Sequence, residues 1–221
     1  MDPARTRSTH DRSVPAASLT VDDVAHVEAA IPGMHVSRLD SGPTATELTL
    51  VGLGDMALCV GRFDFRVSSE GGVSDDEFRL ALQLEEGSGS WNGRAFDLDR
   101  LWLYRPGAEH AGAAGPHRAG KGATWATFNL PVGSMVSVAG WDHAGRTGGL
   151  SILDANAGRL RRTIRDVVTE VREHKLTSGQ ARRAGRELRD ATASMLPGAG
   201  DATARVPSAY QITRRCLRVA D

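Results

Sequence analysis

Phe78-Arg79-Leu80-Ala81-Leu82-Gln83-Leu84 places an apolar side chain at every second position. That period of two belongs to a β-strand and not to a helix. Phe63-Asp64-Phe65-Arg66-Val67-Ser68 alternates in the same way. Further short strands are predicted at Glu47–Val51, Asp55–Val60, Leu98–Tyr104, Thr124–Leu130 and Met135–Ala139, within a region running from Met34 to about Gly140. Turn signals separate them: Gly52-Leu53-Gly54-Asp55, Glu70-Gly71-Gly72, Gly87-Ser88-Gly89, Asn92-Gly93 and Pro106-Gly107. No long helical pattern interrupts the series, so the region reads as antiparallel all-β. Closing that sheet into a barrel would hide its edges.

On the C-terminal side the period changes. Ala157, Leu160, Ile164, Val167, Val171 and His174 step by three and four, and so do Ala181, Ala184, Leu188, Ala191 and Met195. Thr177 or Ser178 caps the second run, and Pro197-Gly198 ends it. Two such helices joined by a short turn are predicted to fold back as an antiparallel hairpin. On the N-terminal side residues 1–18 read as a flexible tail. Thr20 then reads as the cap of a short helix bearing Val21, Val24, Val27 and Ile31. The predicted class is therefore α+β: an antiparallel β-barrel over 19–150, an antiparallel helical hairpin over 151–196, and residues 197–221 as a linker and the start of a further helix.

At 221 residues the chain can bury roughly 70% of its unfolded surface, enough for a core without staples. Lys plus Arg and Asp plus Glu are both 27, so no global field draws it to nucleic acid or anionic membrane. The balance hides a split. Residues 1–150 carry 13 basic and 19 acidic side chains, and residues 151–221 carry 14 and 8. Acids interspersed through the basic part favour a solvated helical face over a nucleic-acid surface. Cys59 and Cys216 are the only cysteines, which excludes a disulfide scaffold and a cysteine-based zinc site as organising principles. No apolar run approaches the length of a membrane helix, and Met1–Ser18 has no signal-peptide core. A cytoplasmic protein is expected.

Several landmarks occur in a fixed order: Trp91-Asn92-Gly93, Leu101-Trp102-Leu103-Tyr104, Pro106-Gly107-Ala108-Glu109-His110 and Trp125-Ala126-Thr127-Phe128-Asn129-Leu130-Pro131. With the Arg214-Arg215-Cys216-Leu217-Arg218-Val219-Ala220 end, they make residues 19–221 resemble the N-terminal half of AraC/XylS-type bacterial transcription regulators. That resemblance implies a cupin-like effector-binding and dimerisation domain. It also implies a following pair of helix-turn-helix units, of which only the start is expected here, as in a chain truncated before its DNA-binding domain.

The expected partners are a small-molecule effector and a second copy of the chain, with DNA reached only through the missing part. Trp91, Trp102, Tyr104, Trp125 and Phe128 are the candidate ligand-binding residues. Trp and Tyr join an apolar body to one polar tip and suit the wall of a small barrel. Core packing explains each of them singly, and the pattern leaves either side of the pleat open as the inward one. The candidate dimerisation residues are Leu160, Ile164, Val167 and Val171 on one helix and Ala184, Leu188 and Met195 on the other. A metal cupin needs convergent His and carboxylate ligands. Glu109, His110, His117 and His143 include no His-x-His pair, so surface or hydrogen-bonding histidines are expected, with no metal and no cofactor. No Gly-x-Ser-x-Gly elbow, Walker loop or dinucleotide loop is present, and no enzymatic activity is expected. The alternative is a small metal-dependent cupin enzyme.

Overall fold

Phe78–Gln83 lies in an interior strand of a seven-stranded sheet. In the computed structural model, residues 16–21, 23–31, 33–41, 46–116, 123–134, 150–154, 157–173 and 176–195 are described. The strands are β1 (Ala16–Val21), β2 (Met34–Arg38), β3 (Thr46–Gly52), β4 (Ala57–Phe63), β5 (Val67–Gly72), β6 (Glu77–Gln83), β7 (Ser88–Trp91), β8 (Arg94–Ala95), β9 (Arg100–Tyr104), β10 (Glu109–Gly115), β11 (Ala123–Pro131) and β12 (Leu150–Asp154). The helices are α1 (Val24–Ala30), α2 (Gly158–Arg172) and α3 (Ser178–Met195). The larger sheet runs β1-β3-β4-β11-β6-β9-β12 and the smaller β2-β5-β10-β7-β8, with every pairing antiparallel.

The α+β class and the antiparallel β-region are as predicted, but the closure differs. Among the described residues no strand pairing joins the two sheets, which face each other across a shared core instead. That core holds Met34, Val36 and Trp91 from the smaller sheet, and Leu48, Cys59, Phe63, Trp102, Tyr104 and Trp125 from the larger. On its other face the larger sheet packs against α2 and α3. Leu58, Phe78, Leu80, Leu82, Leu101, Leu103 and Phe128 meet Leu160, Ile164, Val167, Val171, Ala184 and Leu188 there. The larger sheet is thus covered on both faces, and β6 is buried at every position after Glu77.

The two helices therefore belong to the same core as the strands. Leu160, Ile164 and Leu188 are fully buried in the single chain, and Val167, Val171 and Ala184 nearly so. The dimerisation reading took this stripe as a surface; within the single chain these side chains pack on the larger sheet, where each large one contributes roughly 1.5–3 kcal/mol. The Met195 side chain and His174 lie outside the described residues.

The charge split also resolves within the chain. Arg172 pairs with Glu47 at 2.9 Å, Arg189 with Asp55 at 2.5 Å and Arg161 with Asp99 at 3.9 Å, each joining the basic helices to the acidic β-region. Of the two cap candidates, Thr177 and Ser178, it is Thr177 that caps α3, together with Gln180. The Gln180 N–H donates to Thr177 Oγ1 and the Thr177 N–H donates to Gln180 Oε1.

Other boundaries shift. Residues 16–18 leave the supposed tail and enter β1, which also takes Thr20. Helix α1 is capped instead by Asp23, whose Oδ1 accepts from the Ala25 N–H at 2.9 Å. The alternating run 63–68 is not one strand. β4 ends at Phe63, the chain bends, and β5 starts at Val67 in the other sheet. Phe63 and Phe65 are both buried, so a corner whose side chains return to one core imitates strand alternation. Gly71 and Gly72, read as a turn, lie in β5, where a Cβ on Gly71 would overlap the Gly33 carbonyl. The β-region also extends past residue 150, since β12 pairs with β9. The predicted strand Met135–Ala139 and the whole of 197–221 lie outside the described residues.

Candidate functional site

The register of the larger sheet sets three rows of side chains facing the smaller sheet. Gly52, Ala57, Asn129, Arg79 and Tyr104 form the first, and Leu50, Cys59, Thr127, Ala81 and Trp102 the second. Leu48, Gly61, Trp125 and Gln83 form the third. Large and small residues alternate along these rows, and this decides where the inter-sheet space is filled.

The aromatic end is filled. Trp102 and Tyr104 are fully buried, and Trp91 meets Trp102 edge to face at 5.0 Å and Phe96 at 4.8 Å. The Trp125 indole lies over Gly61, where any Cβ would overlap it. A void of only about 20 Å³ remains among Trp91, Tyr104, Trp125, His110, Ser69 and Arg79.

Around it runs a buried polar network. Asn92 sits at φ 47°, followed by Gly93 at φ 75°, the pair of positive angles that a two-residue hairpin turn between β7 and β8 requires. This turn aims the Asn92 side chain inward. Its Nδ2 donates to the Glu109 carbonyl, and its Oδ1 accepts from Tyr104 Oη–H at 3.1 Å. The Tyr104 hydroxyl thereby spends its only proton, so the contact at 3.1 Å to His110 Nδ1 is donated by the imidazole. Ser69 Oγ–H then donates to Nε2 at 3.0 Å. Both ring nitrogens of His110 are occupied in this way, the hydrogen-bonding one of the two alternatives read from the sequence. His117 and His143 lie outside the described residues, and Glu109 is exposed.

Burial, aided by the Arg79 charge, pushes His110 down to about 4, and burial drives the Tyr104 hydroxyl well above its ordinary range. The folded state therefore holds fewer protons than the unfolded one between about pH 4 and about pH 6.5. Stability is expected to fall as pH drops through that window, by up to about 3 kcal/mol from this group. Urea midpoints measured against pH check this. The fall should be steeper in the unmodified protein than in His110→Gln, and parallel curves would show that His110 does not titrate on unfolding.

The other end of the inter-sheet space is open. A cleft of about 1070 Å³ is bounded by β1, the end of α1, and strands β3, β4, β6 and β11. Gly52, Ala57 and Cys59 leave the room. Ile31, Leu50 and Val73 supply apolar wall, and Arg79, Thr127, Asn129 and Glu77 supply polar groups. Arg79 is buried, 8% exposed, and burial lowers its basicity against the opposing pull of Glu77. Its Nε donates to Asn129 Oδ1 at 3.1 Å, and Asn129 Nδ2 donates to Glu77 Oε2 at 2.8 Å. Cys59 is pushed up to about 12 by burial and stays a thiol. Arg79 and Thr127 line both the cleft and the small void, so they form the partition between them.

None of the five candidate ligand-binding residues lines the large cleft. Trp91, Tyr104 and Trp125 line the small void. Trp102 packs between the sheets, and Phe128 stands on the opposite face against the helices. The residues missed are Cys59, Arg79, Thr127 and Asn129. A signal existed for them: each occupies the alternate position in a strand whose other face is apolar.

No protein-family model matches the sequence, and no curated protein does. Among solved structures, the chain is similar to the AraC-like transcriptional activator CuxR. The TM-score is 0.59 at 17% identity, over 93% of this chain and 80% of CuxR. It also aligns with ToxT from Vibrio cholerae, solved with an unsaturated fatty acid bound, at TM-score 0.40 and 6% identity over 96% of this chain and 65% of ToxT. Oxalate decarboxylase OxdC of Bacillus subtilis aligns over 45% of this chain and 29% of its own, at TM-score 0.28 and 12% identity. The likeness to CuxR establishes a shared fold.

Proposed function

We propose that this chain is the effector-sensing part of an AraC-type transcriptional regulator, and that the effector occupies the cleft between the two sheets. The observation that carries this reading is the cleft of about 1070 Å³, in a fold shared with a transcriptional activator. A volume of that order suits a small molecule, and apolar walls with a few convergent polar groups are the usual make-up of such sites. The ordered landmarks from Trp91 to Pro131 support the reading independently.

The cleft also suggests how occupancy is communicated. Ala16 and Ala17 of edge strand β1 line it, as do Ile31 and Gly33 around the end of α1. Strand β1 lies against α2 as well. A ligand that contacts β1 favours arrangements in which this strand stays docked, and α2 is the element that registers the difference. Among the described residues no helix is long and apolar enough to cross a membrane.

The test is a metabolite screen by thermal shift, repeated on Ala57→Trp. Ala57 is exposed at the end of β4 and lines the cleft, so an indole there blocks it without entering the core. Ligands that raise the melting temperature of the unmodified protein should lose their effect on the variant. A response that survives in Ala57→Trp would place the site elsewhere.

A further inference from the structure

We infer that the cleft recognises a monocarboxylate with an apolar body, held by the guanidinium of Arg79. This rests on the reading of the cleft as the effector site and names the class of effector.

Arg79 carries a charge at an inward position of an interior strand, more than nine-tenths buried. A buried guanidinium is costly unless it is paired. Yet among the described residues Arg79 makes no ion pair, and its one side-chain hydrogen bond is the Nε contact to Asn129. The ionisable groups that face it do not neutralise it at close range. Tyr104 and Cys59 are held protonated, His110 is neutral, and Glu77 spends an oxygen on Asn129. Two of the three guanidinium nitrogens thus remain to donate where Arg79 borders the cleft and the void. Arg79 therefore presents guanidinium donors that no side chain among the described residues accepts by direct contact.

A carboxylate answers that arrangement. Its two oxygens fit the planar fork of a guanidinium, and such charge-assisted pairs are the strong ones. The size of the charge follows from the neighbours. Among the described residues lining the cleft Arg79 is the only cation, and Glu77 lines it as well, so a dianion meets one positive and one negative group. The remaining wall at Ile31, Leu50, Ala57 and Val73 suits an aliphatic or aromatic body.

The experiment uses calorimetric titration with octanoate, dodecanoate and benzoate. Each is compared with its methyl ester and matched alcohol, and octyl phosphate is the dianionic arm. At least one carboxylate should bind about tenfold or more tighter than its neutral partners. Arg79→Met removes the buried charge while keeping the volume and should bring acid and ester to equal affinity. Arg79→Lys should keep a reduced preference. Circular dichroism and melting temperature establish that both variants are folded, and the Lys variant carries the test if the Met variant is not. An ester that binds the unmodified protein as tightly as its acid would overturn the carboxylate assignment. So would octyl phosphate binding tighter than octanoate, or an acid preference undiminished in Arg79→Met. The cleft as effector site survives each of those results. Carboxylate binding that is unchanged in Ala57→Trp would overturn the cleft reading and this inference together.

Discussion

Ile164→Asp is expected to abolish folding of the whole chain and to yield no folded monomer. Ile164 is fully buried in the core between the larger sheet and the two helices, beside Leu160, Val167 and Leu188. A carboxylate there loses its water and meets no partner, a penalty of several kcal/mol after relaxation. The lost apolar contacts add to it. Total stability of a domain is only about 5–15 kcal/mol, so the β-rich circular dichroism should disappear together with the helical signal. Ile164→Ala grades the effect, at about 2–5 kcal/mol by urea unfolding. Arg162→Glu, on the exposed side of the same helix, should change little. A folded, monomeric Ile164→Asp would mean that the stripe faces a second copy after all.

The second large effect belongs to Trp102. This side chain is fully buried between the sheets and packs edge to face on Trp91 at 5.0 Å and Phe96 at 6.4 Å. Trp102→Ala should cost about 3–5 kcal/mol, as expected for truncating a large aromatic in a core that cannot fully collapse. Among the described residues its indole N–H has no hydrogen-bond partner. Trp102→Phe therefore forfeits no hydrogen bond and should cost clearly less than the alanine change. Urea titrations of both variants check the order. If Trp102→Ala costs under about 1 kcal/mol, the aromatic end of the inter-sheet space is not packed as described.

Both predictions concern residues that the sequence singled out for another purpose. Ile164 and its stripe read as an interface because periodicity reveals that a helix has an apolar side and is silent about what covers it. The covering surface is formed by Phe78, Leu80, Leu82, Leu101 and Leu103, strands distant in sequence from the helices. Trp102 read as a ligand contact because aromatic concentration marks a place of large buried area. Whether such an area is packed or hollow depends on what stands opposite, and here that is Trp91 from the other sheet. The cleft lies instead where Gly52, Ala57 and Cys59 fall side by side. Small residues on separate strands form no pattern until the register is known.

Local periodicity was enough to read the α+β class, the antiparallel strands around 46–52, 57–63, 77–83, 100–104 and 123–131, the two C-terminal helices and the Thr177 cap. Each depends on neighbouring residues alone. The same alternation that identified β6 assigned Arg79 to the side away from Phe78, Leu80 and Leu82, a position that faces water in a sheet covered once. Only the tertiary structure covered the sheet twice, with α2 and α3 on one face and the smaller sheet on the other. That second layer turned Arg79 from a solvated side chain into a buried charge at the boundary of a cleft. The physical reason is that burial is a relation between distant segments, whereas strand and helix periods are properties of one segment.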